Sequence, residues 1–316
     1  MNDIRLEKER LKPRRKKRFD TDSLQLYSLC LIPVLLVFVF NYIPMGGIII
    51  AFKNYKYDLG IFGSDWVGLA NFKYFISSSD FARVSFNTIY INFLNIIFGT
   101  TASLFLAILL YDIKSRKTVK VYQTILITPN FISWVVAGFM LYGFLNPAYG
   151  IMNGILTKLG LEPVDWYTRP EYWRKILVGS GIWKSIGMSS ILYYAALMGI
   201  DETLFEAAEI DGAKKWQRNL YIILPSLKKM IVILTLMSIG KIFRADFGMF
   251  YQLTRNVGAL YKTTDVMDTY IYRQLRDVGN MGMSSAAGLM QSVVGFVLVV
   301  ISNKLSKKID PDGGLF

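Results

Sequence analysis

The chain has 316 residues, of which 53% are hydrophobic and 19% charged, and its formal net charge is +13. Histidine is absent and Cys30 is the only cysteine, which excludes histidine-dependent catalytic triads, histidine metal sites and an internal disulfide. The Gly-x-x-x-x-Gly-Lys-Ser/Thr loop that cradles nucleotide phosphates does not occur either. If the protein uses ATP, we expect a partner to bind it.

The first 23 residues form a basic tail with nine lysines and arginines, directly before an apolar stretch. Attraction to anionic headgroups and orientation of the following helix explain such a tail, so we predict membrane lipid, and not nucleic acid, as its partner. The apolar stretch behind it is longer than a signal-peptide core of roughly 7–15 residues, so we expect it to be retained.

Four stretches of the chain contain no charged residue: 23–52, 84–111, 121–157 and 278–303. Because roughly 20 helical residues cross a bilayer core of about 30 Å, each stretch is long enough to span it. Two more apolar stretches carry charge, Lys184 in one and Lys241, Arg244 and Asp246 in the other. We therefore predict an all-α integral membrane protein with six transmembrane helices at about 24–52, 84–111, 121–145, 176–200, 230–253 and 280–303.

Lysine and arginine placement predicts the orientation of these spans. With the N-terminus inside, the inner segments hold 21 of these residues and the outer segments 12, although the outer segments are not shorter. The sequence thus indicates that both termini are cytoplasmic. A cytoplasmic tail is predicted at 306–316, and residues 201–229 are predicted to lie in the cytoplasm between the fourth and fifth spans.

The segment 201–229 is charged and has the signals of two short helices. Thr203 and Glu206 match a capping box and predict a helix that starts near Leu204. Gly212 is expected to end that helix, because glycine tolerates the positive φ of a helix C-terminus. Pro225 is expected to open the next span, where its missing N–H costs little. Small apolar residues beside a row of acids are typical of a helix that docks into a groove of another protein.

This segment carries a specific spacing: Glu206-Ala207-Ala208, three residues, Gly212, nine residues, Ile222, one residue, and Leu224-Pro225. The spacing resembles the EAA signature of permeases of ABC importers. The stretches "WVGLANFKYF" (66–75), "NPAYGIMN" (146–153) and "DFGMFYQLTRN…TTDVMDTYIYR" (246–273) are similar to the carbohydrate permeases of that group, especially those for oligosaccharides and polysaccharide fragments. The similarity covers about residues 24–305.

The resemblance implies the type I ABC-importer permease fold and a non-catalytic transport subunit in the bacterial cell membrane. It implies four kinds of partner: a second permease subunit, two ATP-binding subunits that carry ATP and Mg, an extracytoplasmic sugar-binding protein, and lipid. The segment would be the coupling helix that transmits nucleotide-driven closure to the spans. The residues assigned to this coupling are Glu206, Ala207, Ala208, Asp211, Gly212, Lys214, Lys215, Leu224 and Pro225.

Charges inside spans are expensive and usually face a cavity or a partner. Lys241 and Arg244 are three residues apart, so a continuous helix would place them on one face. We predict that they and other polar or aromatic residues line a sugar pathway, or instead bridge helices or contact the second permease subunit. The pathway candidates are Lys184, Trp183, Lys241, Arg244, Asp246, Tyr193, Asn92 and Asn95, with Tyr194, Asn87 and Asn130 as further possibilities. The Lys241–Arg244 pair would suit an anionic oligosaccharide.

Two other classes of protein fit the sequence less well. An aspartyl intramembrane protease needs two aspartates in facing spans, and Asp246 is the only acid well inside a predicted span. A self-sufficient channel or secondary carrier often shows internal inverted repeats, and none is detectable here. The sequence favours a subunit that depends on a separate ATPase.

Overall fold

The computed structural model describes residues 21–309, which are mostly helical. The chain divides into two compact units, residues 1–49 and 50–316. Most of the predicted basic tail at 1–23 and of the predicted C-terminal tail at 306–316 lies outside the described residues.

The first unit contains one long apolar helical run. Helix α1 (Thr21–Val37) contains Pro33 and continues into a π-helical turn (Phe38–Tyr42) and the short helix α2 (Ile43–Met45). A 3-10 helix (Gly46–Phe52) follows and leads out of this unit. Apolar side chains such as Leu29 and Phe40 are exposed along the run, as is typical of a helix whose surroundings are lipid.

The second unit is built from helices and one small hairpin, in which β1 pairs antiparallel with β2 and Lys53 lies opposite Trp66. Its elements in chain order are β1 (Lys53–Asn54), α3 (Gly60–Gly63), β2 (Asp65–Trp66), α4 (Ala70–Ser77), α5 (Ser79–Tyr111), α6 (Arg116–Phe131), α7 (Trp134–Leu145), α8 (Ile151–Lys158), α9 (Pro170–Leu197), α10 (Glu202–Ile210), α11 (Lys215–Arg218), α12 (Leu224–Gly240), α13 (Phe247–Leu253), α14 (Tyr261–Thr264), α15 (Met267–Arg276) and α16 (Met281–Ile309).

Four helical runs among the described residues are long and apolar enough to cross a membrane: Tyr27–Phe52, Ser79–Tyr111, Lys215–Gly240 and Met281–Lys308. A fifth span results if the bent pair α6 and α7 counts as one. The prediction of several membrane-embedded helices is confirmed. The total of six, which needs α9 as well, stays a prediction.

The predicted helix over 121–145 is wrong in one respect, because the structure breaks it into α6 and α7, which meet at 96°. Pro129 lies in the last turn of α6, and the Ser133 hydroxyl accepts the backbone N–H of Val136 to start α7. The Lys184 ammonium of α9 donates to the carbonyl oxygens of Asn130, at 3.3 Å, and of Ile132. These bonds satisfy carbonyls that a broken helix leaves without partners.

The predicted helix over 230–253 is also discontinuous. Helix α12 ends at Gly240, and α13 starts at Phe247. At its other end the same helix is longer than predicted, because α11, a π-helical turn (Asn219–Ile223) and α12 run on without a gap. Pro225 therefore lies within a continuous helix and does not open it. The Leu224 N–H bonds to the Asn219 carbonyl in the widened turn, and such turns accommodate local irregularity in a helix.

Helices α5, α6 and α9 pack closely, and Gly187 of α9 lies at the tightest point. A Cβ at Gly187 would overlap the carbonyl oxygen of Leu126 in α6. We expect Gly187→Ala to lower the free energy of unfolding by about 1–3 kcal/mol, the usual cost of overpacking. The thermal unfolding midpoint of the purified protein in detergent measures this change.

Gly179 in the same helix is the matched control, since a Cβ there meets no atom within 4 Å. Gly179→Ala should leave the midpoint unchanged or raise it, because alanine is favoured over glycine in a helix by about 1 kcal/mol. Equal behaviour of the two variants would contradict the close contact of α6 and α9.

Candidate functional site

The helix α10 in the segment 201–229 begins two residues earlier than the sequence predicts. Its N-cap is Asp201, whose carboxylate accepts the backbone N–H of Thr203 at 3.0 Å. This hydrogen bond lowers the pKa of Asp201, because it favours the charged carboxylate. The predicted capping box led by Thr203 is therefore wrong. Asp201 fills that position because aspartate is among the strongest N-caps.

Gly212 ends α10 as the sequence predicts, with φ at +72°. The Gly212 N–H bonds to the Glu209 carbonyl, and the Ala213 N–H bonds to the Ala208 carbonyl at 2.9 Å. These two bonds form a Schellman motif, which requires the left-handed conformation at its glycine position. The turn then leads into α11, where the Gln217 side chain accepts the backbone N–H of Lys214 at 2.7 Å.

The segment is attached to the C-terminal end of α5. The Arg218 guanidinium pairs with the carboxylate of Asp112, and the Lys215 ammonium lies 3.8 Å from the same carboxylate. The Phe205 ring of α10 lies 5.7 Å from the Tyr111 ring and 5.9 Å from the Arg218 guanidinium. Phe205 also packs on a core cluster formed by α5, α9 and α12. Contacts of α10 and α11 therefore tie the segment directly to the end of α5.

The opposite side of the segment is open. Ile210 is 87% exposed and Trp216 58% exposed, although both are large and apolar. Eight of the nine predicted coupling residues are exposed and Ala208 is half-buried. Exposed apolar side chains grouped between acidic and basic residues are typical of a surface that binds another protein. The coupling assignment itself stays a prediction.

The largest group of predicted pathway residues lines a cavity of about 470 Å³ between α5, α9 and α12. This central cavity brings together Asn92, Asn95, Tyr193, Lys241 and Arg244. Its wall also carries hydroxyls of Ser185, Ser189 and Ser238, which the sequence interpretation missed. Ser185 and Ser189 are four residues apart in a predicted span, and this spacing of small polar residues on one helix face could have revealed them.

Lys241 and Arg244 lie in the break between α12 and α13, so the prediction that a continuous helix presents them is wrong. Side chains from other helices hold the backbone of this break. Asn92 donates to the carbonyls of Ile242, at 2.8 Å, and Arg244, at 3.0 Å. Gln291 donates to the Phe243 carbonyl at 3.0 Å. These side-chain bonds and the turn bond from the Arg244 N–H to the Lys241 carbonyl, at 2.9 Å, hold the shape of the break.

Both cations of the break are exposed, and neither forms an ion pair with an acidic side chain among residues 21–309. They line the central cavity and also a second cavity of about 510 Å³ that contains Asp268 and Gln291. Asp268 accepts the Ala245 N–H at 2.8 Å and the Gln291 amide at 2.9 Å. Burial raises the pKa of Asp268, while these hydrogen bonds and the charge of Arg244 oppose the change. The cations remain available to an anionic ligand.

Three predicted pathway residues lie elsewhere. Lys184 holds the end of α6 and its ammonium lies 5.0 Å from the ring centroid of Trp134. Asp246 caps α13 by accepting the Met249 N–H, and it accepts the Trp134 indole N–H at 2.6 Å. Trp183 lines a mainly apolar cavity of about 330 Å³. Lys184 and Asp246 thus stabilise the two helix breaks, which is one of the roles that the sequence left open.

The three further candidates are mainly structural as well. Asn87 is buried and donates to the carbonyls of Lys262 and Asp265. Asn130 supplies the carbonyl that accepts from Lys184. Tyr194 packs on the core cluster around Tyr193.

An ion cluster around Asp265 was not anticipated. The Asp265 carboxylate is fully buried and lies 2.6 Å from the Arg273 guanidinium and 3.1 Å from that of Arg83. Arg83 also pairs with Asp80 at 2.7 Å, and Thr269 donates to Asp265 at 3.0 Å. This cluster joins α5 to α15.

Comparison with known proteins identifies relatives over most of the chain. The family described as "Binding-protein-dependent transport system inner membrane component" matches residues 99–311. Protein LplB of Bacillus subtilis (strain 168) is 35% identical over 90% of this chain and 89% of its own length. The polygalacturonan/rhamnogalacturonan transport system permease protein YteP of the same organism is 32% identical over 91% of this chain and 89% of its own length.

A solved structure is similar in fold as well as in sequence. It is a chain of a bacterial ABC transporter involved in the import of the acidic polysaccharide alginate. The TM-score is 0.82 at 33% sequence identity, and the match covers 92% of this chain and 97% of the other.

Proposed function

The chain belongs to the family of binding-protein-dependent transport system inner membrane components, and we propose that it is one permease subunit of an ATP-driven importer of acidic oligosaccharides. The observation that carries this proposal is the central cavity with two cations, at the break between α12 and α13, that pair with no acidic side chain among residues 21–309. Uronate carboxylates are the groups that such cations would bind.

The proposed arrangement has six spans, with α9 (28 residues) as the fourth span and both termini in the cytoplasm of a bacterial cell. The excess of lysine and arginine in the predicted inner segments supports this orientation. One chain supplies half of the pathway, and a second permease subunit completes it. An extracytoplasmic binding protein delivers the sugar, as the name of the family indicates.

The ATP is hydrolysed by two partner subunits, and the segment 201–229 docks on one of them. The exposed Ile210 and Trp216 and the fixed turn at Gly212 support this docking. Ion pairs of Asp112 with Arg218 and Lys215 then transmit the movement to α5. Sugar enters the central cavity only when this movement opens it, so ligand binding has to favour one of the two states.

Both kinds of relative support the acidic nature of the substrate. The name of YteP refers to polygalacturonan and rhamnogalacturonan, and the similar structure is from a transporter of the acidic polysaccharide alginate. In this chain, Lys241 and Arg244 place positive charge beside the hydroxyls and amides of the cavity wall. Hydroxyls and amides recognise the sugar hydroxyl groups, and the cations recognise the carboxylates.

The test is ATP-driven uptake by the complete complex in proteoliposomes, with its binding protein and an oligogalacturonate as substrate. We expect Lys241→Gln combined with Arg244→Gln to lower uptake of the oligogalacturonate by about 100-fold or more, since each of the two lost charge-assisted bonds is worth about 1.5–3 kcal/mol. Uptake of the carboxyl-methylated oligosaccharide should change by less than about 3-fold, because the ester carries no charge to pair.

The control for this test is Lys262→Gln, which removes an exposed cation that lines neither cavity. Equal loss for the charged and the methylated substrate would contradict charge recognition by the cavity. Uptake that persists without ATP would favour a secondary carrier or channel instead.

A further inference from the structure

The end of α13 opposite to the cation pair carries a further concave site, smaller than the cavities described above. Its cavity has a volume of about 250 Å³ and lies between α7 and α13. Its wall includes Phe139, Tyr142, Tyr251, Gln252 and Arg255. The floor is close-packed, since a Cβ at Gly138 would lie 2.8 Å from the Gln252 carbonyl oxygen. The wall is thus aromatic and cationic on a rigid base.

Arg255 is held in place by an unusual backbone. Arg255 and Asn256 follow one another with φ of 53° and 51°, and they are the only non-glycine residues with positive φ among those described. This conformation costs roughly 1–2 kcal/mol per residue. The Tyr261 hydroxyl donates to the backbone carbonyl of Asn256, at 3.1 Å, and to its side-chain oxygen, at 3.0 Å. The Thr254 hydroxyl accepts the backbone N–H of Asn256. Strain that surrounding residues maintain in this way is a frequent mark of a functional site.

The strained turn places the Arg255 guanidinium 4.1 Å from the ring centroid of Tyr142. A guanidinium stacked on a ring keeps its N–H edge free for a planar, bidentate acceptor. Arg255 is exposed and forms no ion pair with an acidic residue in the described part of the chain. A carboxylate is the ligand group that fits this arrangement.

The aromatic surface continues beyond the cavity. Tyr251 lies 5.2 Å from Tyr272, and the Arg276 guanidinium donates to the Tyr272 hydroxyl. Aromatic faces beside arginines suit a sugar ring with a carboxylate, because the ring stacks by its C–H face while the carboxylate pairs with the guanidinium.

We propose that Tyr142, Tyr251 and Arg255 form a second subsite for a uronate unit of the same oligosaccharide. This inference rests on the proposed function. Helix α13 separates the subsite from the Lys241–Arg244 pair, and its seven residues span about 10 Å. In this proposal a long oligosaccharide extends along α13 and occupies both sites, whereas a disaccharide bound at Lys241 and Arg244 leaves Arg255 without a contact. The subsite therefore selects for chain length.

The experiment compares uptake of digalacturonate and pentagalacturonate by the complete complex with its binding protein in proteoliposomes. Arg255→Gln and Tyr142→Ala should each raise the KM for pentagalacturonate about tenfold, as expected for one lost charge-assisted contact. The KM for digalacturonate should change by less than about twofold in the same variants. Tyr142→Phe keeps the ring and should behave as the unsubstituted protein, and Lys158→Gln is the control for an exposed cation elsewhere.

The outcomes separate the two proposals. If the unsubstituted complex imports neither galacturonate, the proposed function fails and the subsite fails with it. If it imports both and Arg255→Gln leaves the pentagalacturonate KM unchanged, only the subsite is overturned. If Arg255→Gln lowers uptake of both lengths equally and weakens co-purification of the second permease subunit, the surface is a protein interface and the subsite is likewise overturned.

Discussion

Replacing Gly212 by valine is expected to uncouple ATP hydrolysis from uptake while the chain still inserts into the membrane. The Schellman turn at Gly212 needs φ near +72°, which costs a non-glycine residue about 1–2 kcal/mol and a β-branched residue more. The native turn should therefore be populated about 5–30-fold less. Because the turn fixes the angle between α10 and α11, the proposed docking surface loses its shape. ATPase stimulation by the sugar-loaded binding protein in proteoliposomes measures the loss.

Gly212→Asn is the matched variant, because asparagine tolerates the left-handed conformation better than other non-glycine residues. It should retain most of the stimulation, although it adds a larger side chain than an alanine would. Full stimulation in the valine variant would contradict the coupling role of the turn. Loss in both variants to the same degree would point to a steric requirement at Gly212 and not to its backbone conformation.

The second large effect is expected at the buried ion cluster. Asp265→Asn removes the charge that two arginines share, while it keeps the size of the side chain. A buried ion pair that loses one partner costs about 3–5 kcal/mol, because the remaining charge stays buried without compensation. We expect a clear decrease of the thermal unfolding midpoint in detergent and weaker packing of α15 on α5.

Asp65→Asn provides the same substitution at a surface pair. Asp65 lies 3.4 Å from the Lys56 ammonium, and its side chain is 68% exposed. Such pairs contribute about 0–1 kcal/mol, so the midpoint should hardly change. If the two variants lowered the midpoint equally, the buried cluster would not contribute the stability assigned to it.

Features that depend on local sequence could be predicted. Three of the four charge-free stretches, 23–52, 84–111 and 278–303, lie largely in long helices, because about 20 apolar residues leave few alternatives to a helix in lipid. The turn at Gly212 followed from the conformational freedom of glycine at a helix end. The cation pair and the asparagines of the central cavity were named from the cost of charge and polarity inside a span, whereas the serines of its wall were not.

Features that depend on residues distant in the sequence could not be predicted. The break after Gly240 is stable because Asn92 and Gln291 bond to its carbonyls, and neither residue is near it in sequence. The same holds for the bend after α6, where Lys184 supplies the missing hydrogen bonds. In the ion cluster, Arg83 and Asp265 are 182 positions apart, so nothing local indicates that they meet.

The unbroken helix from Lys215 to Gly240 has a mechanical consequence. Its 26 residues form a rod of about 39 Å. A rotation of ten degrees about one end would carry the other end through about 7 Å over that length. The rod starts three residues after Gly212 and ends next to Lys241. A small rotation at the turn therefore produces a larger displacement at the cations, comparable to the width of a sugar chain.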